Sequence, residues 1–101
     1  MNIYTLDIGL FDKDTLKQEI PKDDVIDIIS DYFDCSIQEQ IGVYTHKDGI
    51  KIVEPSLHVT VYNTRGTQLY WIARELCKKL NQESIAVNAI NVEETRFIGG
   101  E

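Results

Sequence analysis

His58, Asp7 and Glu54 are the side chains of this 101-residue sequence best suited to proton transfer. General acid–base catalysis needs an imidazole or carboxyl within hydrogen-bond reach of a second polar group, inside a recess. On a sheet these three residues can be brought near one another. His46 falls at the tip of a predicted hairpin, too exposed for a catalytic base. Nothing resembles a nucleophile elbow, a phosphate-cradling loop or a metal triad. Cys35 and Cys77 stand 42 positions apart with no histidine at ligand spacing, and read as small buried hydrophobes rather than ligands or a disulfide. A lone strand histidine is more often a hydrogen-bonded surface group than a catalyst. The residues therefore predict no catalytic centre, no metal and no cofactor, and an enzyme using His58 with Asp7 or Glu54 is the minority alternative.

The elements that would position these groups are legible from periodicity. Ser56 to Asn63 alternates strictly, with Leu57, Val59 and Val61 on one side and Ser56, His58, Thr60 and Tyr62 on the other, as a half-buried strand does. Residues 3–10 read as a first strand with Tyr4, Leu6, Ile8 and Leu10 inward. Residues 22–33, after Pro21, form an amphipathic helix with Val25, Ile26, Ile28, Ile29, Tyr32 and Phe33 on its apolar arc. Residues 37–45 read as a second strand with Ile37, Ile41 and Val43 inward. Lys47-Asp48-Gly49 is hairpin-turn chemistry. Pro55, unable to donate to a ladder, predicts a bulge, an edge or a break between residues 50–53 and 56–63. Residues 67–80 form a second helix with Leu69, Ile72, Ala73, Leu76 and Leu80 buried. Residues 84–92 complete the sheet through Ile85, Val87 and Ala89.

Strand, helix, strand, strand, helix, strand is the split βαβ order. It predicts a single α+β domain of ferredoxin-like type, with four antiparallel strands and two helices on one face. Residues 97–101 are expected to dock briefly or fray.

Charge and exposed aromatics then point to surfaces. The net charge is −7, and residues 1–40 alone carry ten acids against three bases. That excess argues against a phosphate-backbone partner, which needs clustered Lys and Arg. It suits a solvated helix face, or docking on a basic protein through Asp23, Asp24, Asp27 and Asp31. The uncovered sheet face should carry Thr5, Asp7, Tyr44, His58, Thr60, Tyr62 and Asn88, a surface fit for self-association or for simple solvation. Trp71 lies on the polar side of its helix with Tyr70, Arg74 and Lys78, forming an aromatic-basic patch unless Phe97-Ile98 folds back over it. No apolar run approaches a membrane span and no secretory leader is recognisable, so a bacterial cytoplasmic location is expected.

Gly42-Val43-Tyr44-Thr45-His46-Lys47-Asp48-Gly49, Glu54-Pro55-Ser56-Leu57 and Leu80-Asn81-Gln82-Glu83-Ser84-Ile85 resemble a group of small proteins of Gram-positive bacteria, their phages and mobile elements, as does the segment from Asp12 to Gln18. The resemblance carries no activity, but it implies a phage-type setting, in which small acidic proteins occupy sites on host defence proteins or sequester nucleotide signals. The leading expectation is thus a non-enzymatic protein that blocks a CRISPR-type defence protein through its acidic face. The alternative is a homodimer holding a small anionic, nucleotide-like ligand near Arg65, Trp71, Arg74 or the open sheet face.

Overall fold

The computed structural model describes residues 2–62 and 64–100. The chain runs β1 (Asn2–Gly9), α1 (Lys22–Ser30), β2 (Cys35–Thr45), β3 (Lys51–Val61), α2 (Gly66–Lys79) and β4 (Ala86–Asn91). The strands form one antiparallel sheet in the order β2-β3-β1-β4. This is the ferredoxin-like arrangement that the element order predicts.

Register explains the core. Tyr4 faces Val61, Leu6 faces Val59 and Ile8 faces Leu57 across the central pair. All six side chains are buried, beneath Val25 and Ile29 of α1 and Leu69, Ile72 and Leu76 of α2. The alternate residues pair Thr5 with Thr60 and Asp7 with His58, and place Asn88 opposite Thr5, on the face away from the helices.

Three expectations are corrected. The first helix ends at Ser30 rather than Phe33, where the Tyr32 N–H turns back to the Ile29 carbonyl, although Tyr32 and Phe33 still pack on the core. Pro55 neither bulges nor breaks β3, which runs unbroken from Lys51 to Val61. Its carbonyl accepts the Leu10 N–H on the β1 side, so the donor that proline lacks is missing just where β1 ends. Ile41 and Val43 lie on the inward side of β2 by register, yet are 74% and 59% exposed.

The cause of that exposure is length. Eleven residues of β2 extend about 35 Å, at about 3.3 Å per residue. The nine residues of α1 cover only about 14 Å. The β2–β3 hairpin therefore overruns the helices, and it lengthens the molecule to 50 Å against 25 and 22 Å in the other directions.

Burial of this kind makes a contrast measurable by urea denaturation. Leu6→Ala removes a fully buried side chain and should cost about 2–5 kcal/mol. Ile41→Ser should change stability by no more than about 0.5 kcal/mol, because nothing covers that position.

Candidate functional site

Antiparallel pairing puts the end of β1, the β2–β3 turn and the start of β4 at one end of the sheet. Glu54 stands there. Its side chain leaves the open face of β3, crosses the end of β1 and accepts the Phe11 N–H at 2.9 Å. It is the only carboxylic acid among the buried residues described. Gly9 makes the crossing possible, since a Cβ at that position would lie 2.3 Å from a Glu54 carboxyl oxygen. Burial pushes the Glu54 carboxyl above the ordinary glutamate range, and the Phe11 hydrogen bond only partly offsets this. Tyr44 shares the neighbourhood: burial raises its hydroxyl pKa, with further contributions from the charges of Glu54 and Glu83.

Two segments are lashed together beside this carboxyl. Asp12 folds the loop after β1 by accepting the Asp14 and Thr15 N–H groups on Oδ1. Asn81, at φ 47° just past α2, donates from Nδ2 to Asp12 and Asp14, each at 2.9 Å. Gln82 Nε2 donates to the Phe11 carbonyl at 2.7 Å. The Asn81 amide and the loop N–H groups hold the Asp12 carboxyl below its ordinary range. Between the segments is a recess of about 110 Å³ lined by Gly9, Leu10, Asp12, Ile20, Asn81 and Gln82. Nucleotide-sized ligands fill pockets of about 300 Å³ or more, so this recess accommodates only part of such a molecule.

On the open face His58 Nδ1 lies 2.7 Å from Asp7 Oδ1. Because a carboxylate can only accept, Nδ1 carries the proton in that bond. Gln40 Nε2 reaches both Asp7 Oδ1 at 2.9 Å and Ser56 Oγ at 3.2 Å, and the Ser56 hydroxyl donates to the Ile8 carbonyl. Asn88 Nδ2 donates to Thr5 Oγ1. The expected union of His58, Asp7 and Glu54 is therefore only half formed: His58 meets Asp7, while Glu54 is committed to Phe11. His46 is also corrected. It is half-buried against the turn, its Nδ1 3.0 Å from Asp48, rather than exposed at a tip.

The other predicted surfaces separate. Asp23, Asp24, Asp27 and Asp31 are exposed along α1. Trp71 is 58% exposed, with Tyr70, Arg74 and Lys78 also outward. Phe97 does not cover Trp71; it meets Tyr62 edge to face at 5.7 Å between ring centroids. Cys35 and Cys77 are free, half-buried thiols whose pKa values burial raises. No cluster of metal-ligating side chains occurs among the described residues, and none of their helices is long and apolar enough to cross a membrane.

Sequence reasoning missed Gly9, Gln40 and Asn81. The first is a glycine at a strand end, where only the three-dimensional path of Glu54 gives it meaning. Gln40 bridges partners that come together only once β1, β2 and β3 are aligned. Asn81 carries a signal that was available, an asparagine just past a helix where a left-handed residue is favoured.

Glu54 has a testable pH signature. Its raised pKa means that the folded state disfavours the ionised form, so its contribution to stability is fully present below the unfolded glutamate pKa and is lost as pH rises through the folded value. Glu54→Gln should therefore gain stability relative to the parent as pH is raised from 4 toward neutrality. Carbon-detected NMR titration of the parent should place the Glu54 midpoint above that of an ordinary glutamate. Gly9→Ala should displace the carboxyl, lowering that midpoint and exposing the Phe11 N–H to faster hydrogen exchange.

No family model and no curated protein matches the chain. Among solved structures it is similar to a phage SAM lyase in the apo state, with a TM-score of 0.62 and 21% identity, over 94% of this chain and 92% of that one. At that identity the likeness shows a shared fold, and the neighbour is a phage protein.

Proposed function

We propose that this chain is a phage-type protein that binds S-adenosylmethionine at the loop-bearing end of the sheet and cleaves it, with Glu54 as the central acidic group. The observation that carries the reading is a buried carboxyl, held by one N–H bond and raised by desolvation, close enough to the Tyr44 hydroxyl for its charge to be felt there. Buried acids with perturbed pKa values concentrate at functional sites. Support comes from the similar fold of a SAM lyase over nearly the whole of both chains.

The ligand's charge fits. At neutral pH S-adenosylmethionine carries a sulfonium and an ammonium against one carboxylate, and a chain of net charge −7 attracts such a cation. Glu54 would anchor the cationic amino-acid end, while the Tyr44 ring offers a π face to the sulfonium. A lyase breaks a carbon–sulfur bond without water. The bonding pair stays on sulfur, which leaves as a neutral thioether, and the carbon is satisfied by the substrate's own carboxylate. This step annihilates charge, so a poorly solvated site favours it. The small recess holds only part of the ligand; the exposed hairpin side chains Ile41, Val43 and Val53 offer area on which a second copy would wall in the rest.

Incubating the protein with S-adenosylmethionine and following methylthio-nucleoside by liquid chromatography and mass spectrometry tests the reading. Product should form faster than in a protein-free control, and Glu54→Gln should reduce kcat/KM by at least about 100-fold while remaining folded. If the ligand raises Tm without turnover, the site sequesters instead of cleaving. The absence of both product and a Tm shift overturns the assignment.

A second reading draws on the acidic helix. The only base on α1, Lys22, is engaged by Glu39 at 2.7 Å, while Asp23, Asp24 and Asp27 lie exposed along the helix and Asp31 lies just past its end. In this reading they dock on a basic host-defence protein. Replacing Asp23, Asp27 and Asp31 by Asn would then weaken complex formation and flatten its salt dependence, and unchanged binding would exclude it.

A further inference from the structure

At the opposite end of the sheet, where β2 begins and β3 ends, lies a larger cleft of about 510 Å³. Its walls are aromatic, formed by Tyr32 and Phe33 after α1, Tyr62 after β3 and Phe97 of the C-terminal segment. Between them stand Asp34, Ser36, Thr64 and Gln68. Tyr62 and Phe97 meet edge to face at an interplanar angle of 78°, and Phe97 is 71% exposed. The cleft uses none of the residues assigned to the Glu54 site.

We infer that this cleft is a second ligand site, one that takes an amino-bearing purine nucleoside without a phosphate. Its volume lies in the range of small-molecule pockets and exceeds what a nucleoside needs. Flat aromatic walls select a flat ligand by stacking, as base-binding proteins do without reading sequence. The hydroxyls of Ser36 and Thr64 and the amide of Gln68 supply both donors and acceptors for ring nitrogens and ribose. Asp34 can only accept, which favours an exocyclic amino group over a carbonyl. No Lys or Arg lines the cleft, and Lys79 is turned to the Tyr32 ring, 4.8 Å from its centroid, and lines the recess near Asp12 instead. A phosphate would meet Asp34 with no lining cation to offset the repulsion.

Four rings from three separate segments converge here: Tyr32 and Phe33 rest on the edge of the core, while Phe97 lies outside it. Phe97 is the part most able to adapt, because it is held on one side by Tyr62 and otherwise faces solvent. A bound purine would slide against that free ring and bury it, ordering the C-terminal segment over the ligand.

Isothermal titration with adenosine tests the assignment on the intact chain. Adenosine should bind in the micromolar to millimolar range, with inosine and adenosine 5′-monophosphate each several-fold weaker. Phe97→Ala should weaken adenosine about tenfold, the loss expected when one stacking ring is removed. Tyr62→Leu serves as a second probe of the same wall, and Phe97→Ala, at an exposed position, should leave Tm unchanged. Tyr44→Ala and Glu54→Gln should leave adenosine affinity intact. No binding at millimolar adenosine overturns the inference. So does loss of binding in the Tyr44 or Glu54 variants without loss in the Phe97 variant, which would assign the nucleoside to the other end of the sheet. Cleavage of S-adenosylmethionine is read independently, so either site can fail without the other.

Discussion

The pairing of β1 with β3 is the interaction from which everything else in this molecule is hung. Leu6 against Val59 and Ile8 against Leu57 are fully buried cross-strand pairs, and both helices settle on them. Because side chains alternate along a strand, the same register that seats these four also fixes Asp7 opposite His58 and Gly9 opposite Ser56 on the other face. A one-residue slip of β1 would turn Asp7 toward the core and expose Leu6 and Ile8. The polar network of the open face is thus a by-product of core packing.

Where that pairing stops matters as much as where it runs. Pro55 offers no donor to β1, so β1 ends, and the chain departs as Phe11 across the path of the Glu54 side chain. A glycine precedes the departure because a carboxyl group occupies the space a Cβ would need. One missing N–H and one missing side chain together create a buried acid beside two loops. The Asn81 and Gln82 amides then tie those loops to each other, so the acid sits in a frame and not on a free end.

Much of the fold was legible because alternation and helical periodicity are local signals. Residues 56–62 declared both faces of β3, and the positions on α2 from Leu69 to Leu80 declared its buried stripe. Local patterns fail where one element outruns another. Ile41 and Val43 alternate as core residues do, and only the short reach of α1 leaves them uncovered. The site was less legible still. Asp7 and His58 could be paired by parity, but the role of Glu54 depends on a backbone amide 43 positions away, and Phe97 finds Tyr62 through a path no periodicity encodes. Contacts of that kind belong to topology and leave no mark on neighbouring residues.

The topology also sets an order of assembly. β2 and β3 are joined by a tight turn, and their ladder can close while the chain is still short. β1 pairs with β4 from Asn2 opposite Asn91, residues far apart in the sequence. Contacts between distant segments carry the largest loop-closure cost and form late. During synthesis β1 emerges well before β4, so one of its edges stays open until residues 86–91 are made. For that interval β1 is paired on the β3 side only, and a growing chain that stalls before residue 86 presents a bare strand edge to its neighbours.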